Sequence, residues 1–394
     1  MLILGLLLAC RTEAPEPEPV APASVKGSAA ALEGPYGIAL GDWTGELATL
    51  GGPLRFRLRI TGNCQVELLH GAETTPTFSQ CEDHSLSVRF PPYLGSLTAR
   101  ISEDGESLRG RWDYPRDGLW HHLDFVGSAG PGTPAEPAPE GAPSQISLRV
   151  GSRPAQMRLE PGSPGVVGSV LFPAKDEAQL EGGWTDEGLE LSRFDGSRAL
   201  LYRLGPGPEG RFAGQKWSAD EPGVPIVEAE FADLGDPWAR VPLGEVDISG
   251  LSAQRIGGAV EPVPSTGPRI VFLGDTTCPG CNELEPVMEG LSKEFPEVQV
   301  IGLYTGVGGS PGKSDRQLRQ LRDRYRVTHP MYRLDSVAPF FTKGMAWPTV
   351  LFLAPDGRVS AAFSGSRSTA MGPEHSAMVE RFRAEAGRLR GLGR

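Results

Sequence analysis

The sequence predicts a multidomain chain: two small antiparallel β domains, each a sandwich or a barrel, followed by an α/β domain with a mixed sheet. Three observations carry this. Up to about residue 240, apolar and polar residues alternate with period two in short runs, broken by Gly-Asp, Asp-Gly and Pro-Gly pairs. Two breaks rich in Pro and Gly divide the 394 residues into three blocks, each long enough for its own core. In the last block, continuous apolar runs alternate with helical spacing, the pattern of an α/β domain.

The chain opens with nine almost wholly apolar residues (1–9) and then Cys10. Nine residues are too few to span a bilayer as a helix, which takes ~20, but they fit the hydrophobic part of an export signal. Leu7-Leu8-Ala9-Cys10 resembles a bacterial lipobox, in which the signal is cut before a cysteine that receives lipid. The pattern departs from a usual signal in that its first cation, Arg11, follows the cysteine. The expectation is a signal peptide over 1–9 and a lipid on Cys10. The stretch to residue 34, Pro/Glu/Ala-rich in its first half, reads as an extended, solvated tether. No other run has the length of a membrane helix.

The first β domain is expected over 35–127. Residues 54–60 (LRFRLRI), 86–90 (LSVRF) and 97–101 (LTARI) alternate as half-buried strands do. Cys64 and Cys81 flank a polar, hairpin-like stretch of this block. In an oxidising compartment they read as a structural disulfide, which needs their Cα atoms within ~7 Å. A Pro/Gly linker follows at 128–144, then a second β domain over 145–240 and a looser connection over 241–264. Residues 86–112 and 189–217 share an order of strand, Phe, turn, strand, Gly-bearing turn and Trp, as duplicated β units would. The net charge of −11 argues against nucleic acid as a partner.

The third block spans 265–394. Residues 269–274 (RIVFLG) read as a buried strand, and Leu284, Val287, Met288, Leu291 and Phe295 recur at helical spacing after it. A strand is expected at 298–304, an amphipathic helix at 314–325 and a strand at 349–353. Pro355-Asp356-Gly357 then makes a hairpin turn to a partner strand at 358–363, and a last helix runs over 375–392.

Cys278-Pro279-Gly280-Cys281 falls where the first of these strands gives way to a helix. The unpaired N–H groups and the dipole at a helix N-terminus favour a thiolate on Cys278, lowering its pKa toward the ~7 of such motifs. Two intervening residues place Cys281 one turn on, close enough for a disulfide. Cys278 would attack a substrate disulfide, and the more buried Cys281 would then resolve the mixed disulfide. Zinc would need four ligands, and this block adds only His329 and His375 to the two cysteines, so no metal is expected. A purely structural bridge is the other alternative.

Residues 270–286 (IVFLGDTTCPGCNELEP), 299–306 (QVIGLYTG) and 344–359 (GMAWPTVLFLAPDGRV) resemble the TlpA/ResA-like branch of the thioredoxin superfamily, envelope-facing thiol-disulfide oxidoreductases of bacteria. The resemblance covers about the last 130 residues and implies a thioredoxin fold. It makes Cys278 the nucleophile, Cys281 the resolving thiol and Pro348 a cis-proline whose loop, Trp347-Pro348-Thr349, pairs with the substrate. Residues 191–202 (LSRFDGSRALLY) are similar, more weakly, to β regions attached to lipoprotein members. This chain departs from the family in three places. Thr277 stands where a Trp is usual, Leu284 where many members have Glu, and Phe272 where thioredoxin has a buried acid. Proton transfer to Cys281 then falls to Glu283, Glu285 or water.

The function expected is that of an envelope-facing, lipid-anchored thiol-disulfide oxidoreductase, facing the periplasm or exterior, that reduces disulfides of exported proteins through its Cys-Pro-Gly-Cys dithiol; its partners are disulfide- or thiol-containing exported proteins. It would use no cofactor beyond its redox-active disulfide and would draw electrons from a membrane dithiol donor. The alternative is a ligand- or cell-wall-binding lipoprotein whose thioredoxin-like domain serves as a redox sensor or docking module. Thiol peroxidase and copper-delivery readings rank below both: the former needs Thr where Asp275 stands, and His329 reads as a loop residue before Pro330.

Overall fold

Alternating residues of the first block build a nine-stranded antiparallel sheet, from Gly41–Thr49 to Leu119–Ala129. The computed structural model describes residues 36–393 apart from 72, 92, 117–118, 133–135, 137, 163–164, 174, 231–247, 249, 277, 306–310 and 335–346. Cys10, the apolar segment before it, the tether and Thr277 lie outside the described residues.

Strand Gly41–Thr49 pairs with both Gly52–Thr61 and Leu119–Ala129, so the ends of the block meet in mid-sheet. The two edge strands, Glu73–Pro76 and Phe78–Glu82, are neighbours in sequence, which obliges the sheet to curl until its edges approach. Side chains close that seam. The Val66 N–H donates to Ser79 Oγ (2.9 Å), and the Ser79 hydroxyl donates to the Cys64 carbonyl (2.6 Å). Cys64 and Cys81 are disulfide-bonded across it, with Cα atoms 5.9 Å apart.

The second block forms a closed eight-stranded barrel in sequence order, with Gln145–Val150 pairing with Val224–Glu228. The two β blocks share a core. In strand Ala199–Pro206, Leu200, Tyr202 and Leu204 point into the barrel, while Ala199 and Leu201 join the core of the first sheet. Phe194 is fully buried there, with ring centroids 4.5 Å from Phe56, 5.0 Å from Trp112 and 5.5 Å from Phe90. Both faces of this barrel wall are therefore apolar, which explains the Ala-Leu-Leu-Tyr run. The expected duplicate segments each form three successive antiparallel strands.

The third region is a seven-stranded mixed sheet. Arg269–Asp275 is an inner strand, parallel to Gln299–Thr305 and antiparallel to Thr349–Leu353, which pairs in turn with Val359–Ser364. The strand Met331–Leu334 continues the parallel part. Beyond it, Ser252–Arg255 and Val260–Pro262, inside the stretch read as a connection, add two edge strands.

Among the described residues three α-helices accompany this sheet: α1 (Pro279–Glu294), α2 (Pro311–Tyr325) and α3 (Pro373–Leu392). Their buried residues meet one sheet face, with Leu284, Met288 and Leu291 of α1 beside Phe382 and Leu389 of α3 and Phe272 and Phe352 of the sheet. The other sheet face packs against Ile248 and Val263. Strand, helix, strand, helix, strand and a closing hairpin with a last helix is the thioredoxin-like order, and it sets the end of the inner strand Arg269–Asp275 against the start of α1.

Candidate active site

The inner strand Arg269–Asp275 ends at Asp275, and α1 begins four residues later, with Cys278 as its N-cap. Pro279, at the first helical position, has no N–H to leave unpaired and a φ already suited to the helix. The Cys278 sulfur accepts from the Cys281 N–H at 3.2 Å, and its carbonyl accepts from Cys281 (3.1 Å) and Asn282 (3.2 Å). A sulfur at this place faces the unpaired donors of the helix, which stabilise negative charge on it.

Cys278 and Cys281 are disulfide-bonded, with Cα atoms 5.2 Å apart. Cys281 is fully buried, and Cys278 is partly exposed. Cys278 can thus be reached from solvent and Cys281 cannot.

The Trp347–Pro348 peptide is cis. Pro348 stands over the turn between the cysteines: its Cδ is 3.6 Å from where a Cβ on Gly280 would lie. Thr349 is buried and donates to Ser364 Oγ at 3.2 Å, while the Pro348 carbonyl accepts from Gly365 N–H at 2.7 Å. Seventy residues apart in sequence, the Cys-Pro-Gly-Cys turn and the proline loop meet in space.

The two candidate proton carriers separate. Glu283 is partly exposed and looks toward the β blocks, where its charge acts on Arg198 and on Tyr93. Glu285 lies one helical turn after Cys281, on the inward side of α1, with no solvent exposure. Neither of its oxygens has a hydrogen-bond partner among the described residues. Burial, with the nearby Glu289 charge, pushes its carboxyl up to about 8.

Sequence reasoning passed over the group beside it. His329 Nε2 stands 3.5 Å from Glu285 Oε2, beyond good hydrogen-bond range, and His329 Nδ1 is 3.2 Å from Glu289 Oε2. Burial works against the Glu289 charge, but hydrogen bonds from Thr328 N–H and Oγ1 (2.8 Å each), Lys293 and His329 hold its pKa at about 2. Burial pushes the His329 imidazole down, against the pull of Glu289. A neutral imidazole giving its Nδ1 proton to the Glu289 carboxylate presents a lone pair at Nε2 to the protonated Glu285 carboxyl. The signal available in the sequence was Glu285 and Glu289, four apart and interleaved with Leu284 and Met288 in an apolar stripe. Phe272, in the strand below, is fully buried and apolar.

No cluster of three or more metal-ligating side chains exists among the described residues, and none of their helices is long and apolar enough to cross a membrane.

No family model matches the chain, and no curated protein is similar to it in sequence. Solved structures do match about a third of it. A secreted Mycobacterium tuberculosis disulfide oxidoreductase homologous to Escherichia coli DsbE is 18% identical, over 34% of this chain and 95% of that one, at a TM-score of 0.27. Mycobacterium tuberculosis DsbF is 17% identical over 35% and 96%, at 0.26. A thiol:disulfide interchange protein of the thioredoxin family from Chlorobium tepidum is 16% identical over 36% and 97%, at 0.25. These neighbours are thioredoxin-fold thiol-disulfide oxidoreductases, and the likeness is a partial one at low identity.

Proposed function

We propose that the chain is a thiol-disulfide oxidoreductase working through Cys278 and Cys281 on exported proteins, in the cell envelope and tethered by lipid on Cys10. The observation that supports this best is the asymmetry of the pair. A partly exposed cysteine caps a helix opposite a cis-proline, and a buried one lies a turn below it, on the same helix face as a buried acid with no hydrogen-bond partner among the described residues.

In the reducing direction the Cys278 thiolate attacks one sulfur of the substrate disulfide, and the departing thiolate takes a proton from water. Cys281 then gives its proton to Glu285, through the fraction of that carboxyl that is ionised, and attacks the Cys278 sulfur, expelling the second substrate thiolate. Two electrons pass from the dithiol to the substrate, and the Cys278–Cys281 disulfide is left. A membrane dithiol donor reopens it at Cys278, and Cys281 leaves as a thiolate that recovers the proton from Glu285. With a pKa of about 8 in the disulfide form, Glu285 is mostly protonated at neutral pH and ready for that return. The Trp347-Pro348-Thr349 loop supplies backbone against which a substrate strand aligns.

The test is reduction of a protein disulfide by the full chain, with a chemical dithiol as donor. Turnover that vanishes in Cys278→Ser, with a trapped mixed disulfide in Cys281→Ser, is the expected result. Turnover unchanged in Cys278→Ser refutes the reading. Equilibration in glutathione buffers fixes the direction: a potential near ~−270 mV fits a reductase, and one near ~−120 mV an oxidase.

A further inference from the structure

Four consecutive residues touch the cis-proline and the Cys-Pro-Gly-Cys turn and also the barrel. The Gly365 N–H donates to the carbonyl of cis-Pro348 at 2.7 Å. The Ser366 hydroxyl oxygen lies 2.3 Å from where a Cβ on Gly280 would stand, so Ser366 closes one side of the Cys-Pro-Gly-Cys turn. Arg367, 1% exposed, donates from Nη2 to the carbonyls of Phe172 (2.9 Å) and Pro173 (3.2 Å) in a barrel loop. Ser368 donates from N and from Oγ to the two carboxylate oxygens of Asp176, at 2.9 Å each. Arg158 of the barrel and Glu374 of α3 form an ion pair on the same side.

We propose that residues 365–368 are a strap through which the barrel fixes the redox centre, with Asp176 and Ser366 as positioning residues that set its dithiol–disulfide equilibrium. The path of contacts is short: Phe172, Pro173 and Asp176 of the barrel, then Ser368 and Arg367, then Ser366 on Gly280 and Gly365 on Pro348. When the disulfide opens, the two sulfurs separate from bonding distance to van der Waals contact, and the turn carrying them widens. Ser366 opposes that widening because its two successors are held by the barrel. The strap therefore favours the disulfide, and releasing it favours the dithiol. By linkage, opening the disulfide weakens the hold of the barrel on residues 367–368 by the same factor.

The anchor also adjoins the barrel interior. Glu177, next to Asp176, is 4% exposed and accepts from Lys216 Nζ (2.6 Å), Lys175 Nζ (3.0 Å) and the Tyr202 hydroxyl. A buried polar knot of this kind fixes the start of the strand that carries Asp176, so the anchor has little freedom of its own.

The experiment equilibrates the full chain in dithiothreitol buffers and counts free thiols by trapping and mass spectrometry. Asp176→Ala and Ser366→Ala are each expected to shift the equilibrium threefold or more toward the dithiol, about 14 mV for two electrons. Their combination should shift it by much less than the product, since both act through one strap. Ser368→Ala, a milder change at the same joint, covers the case in which Asp176→Ala does not fold. An equilibrium unmoved in these variants, whatever happens to their melting temperature, overturns the proposal, and so do shifts that multiply independently. The readout needs no turnover. A chain that equilibrates with dithiothreitol but reduces no protein disulfide loses the function proposed above and leaves the strap to be judged on its own shifts. A disulfide that no folded variant opens overturns both.

Discussion

Replacing Glu285 with glutamine puts the buried acid to a quantitative test. Its ordinary pKa is 4.5, and burial beside Glu289 pushes it to about 8. Between these values the folded chain keeps a proton that the unfolded chain has released. Stability is therefore lost as pH rises through this window, at about 1.4 kcal/mol per pH unit. From pH 5 to pH 7 the loss is about 3 kcal/mol. Below 4.5 the carboxyl is protonated in both states and costs nothing; above 8 the loss is complete. Other groups at this site titrate too. His329, lowered by burial, makes its contribution rise with pH up to its unfolded value of 6.5, and Glu289, held at about 2, acts only below 4.5. Tyr325, which feels the charges of Arg324, Glu283 and Glu285, is raised from 10 and plays no part below pH 8. These contributions are common to both proteins, so the difference between them isolates Glu285. The assay is urea unfolding of the wild type and Glu285→Gln at pH 5, 6, 7 and 8 with both disulfides intact. The variant should gain on the wild type steadily from pH 5 to 8. Parallel curves would show that Glu285 carries its charge at neutral pH, and the proton-return step would fall with it.

Catalysis gives a second reading of the same residue: Glu285→Gln should slow resolution of the mixed disulfide by about 10²-fold at pH 7, followed by stopped-flow, while Glu283→Gln leaves the rate within threefold. Gly280→Ala places a Cβ 2.3 Å from Ser366 Oγ and should lower the thermal midpoint, with Ser366→Gly restoring it in the double variant. Breaking Cys64–Cys81 by paired serine substitutions frees a 17-residue loop and should cost about 3 kcal/mol in chemical denaturation, with the equilibrium of Cys278–Cys281 unchanged. Phe194→Ala opens a cavity where both β blocks meet and should cost about 3–5 kcal/mol, destabilising the first sheet and the barrel together in hydrogen exchange.

What the sequence made legible was local. Period-two runs marked strands such as Gly52–Thr61 and Ser96–Ile101, and the Leu284, Met288, Leu291 stripe marked α1. Cys-Pro-Gly-Cys and Trp-Pro-Thr were visible as motifs because their chemistry constrains neighbouring residues. Closure of the barrel was not legible, since alternation says that a strand is half-buried and not which strand it meets. Phe194 shows the same limit: nothing local distinguishes a residue of the barrel wall that faces another sheet from one that faces solvent. Met331–Leu334 is four residues long and follows a proline, too little pattern to read as a strand. His329 carries no local signal of its place in the site, because its partners lie 40 and 44 residues away on a helix.

The place of Glu285 has its own logic. An acid on the strand below the cysteines would hold its distance from Cys281 only as well as the sheet and helix hold each other. That strand position is Phe272, which packs edge to face with Tyr304 at 5.6 Å and serves the core alone. An acid four residues along α1 is spaced from Cys281 by the helix itself, at about 5–6 Å between Cβ atoms. Movement of α1 against the sheet then carries thiol and carboxyl together. The strap acts on Gly280 at the start of this helix, so a shift of the barrel would alter the geometry of the disulfide turn before it altered the spacing of Cys281 and Glu285. Variants at Asp176 should accordingly move the redox equilibrium while leaving the pH-dependent stability difference of Glu285→Gln within about 1 kcal/mol of its value in the parent chain. If loosening the strap instead abolished that difference, the carboxyl would owe its burial to the barrel rather than to α1.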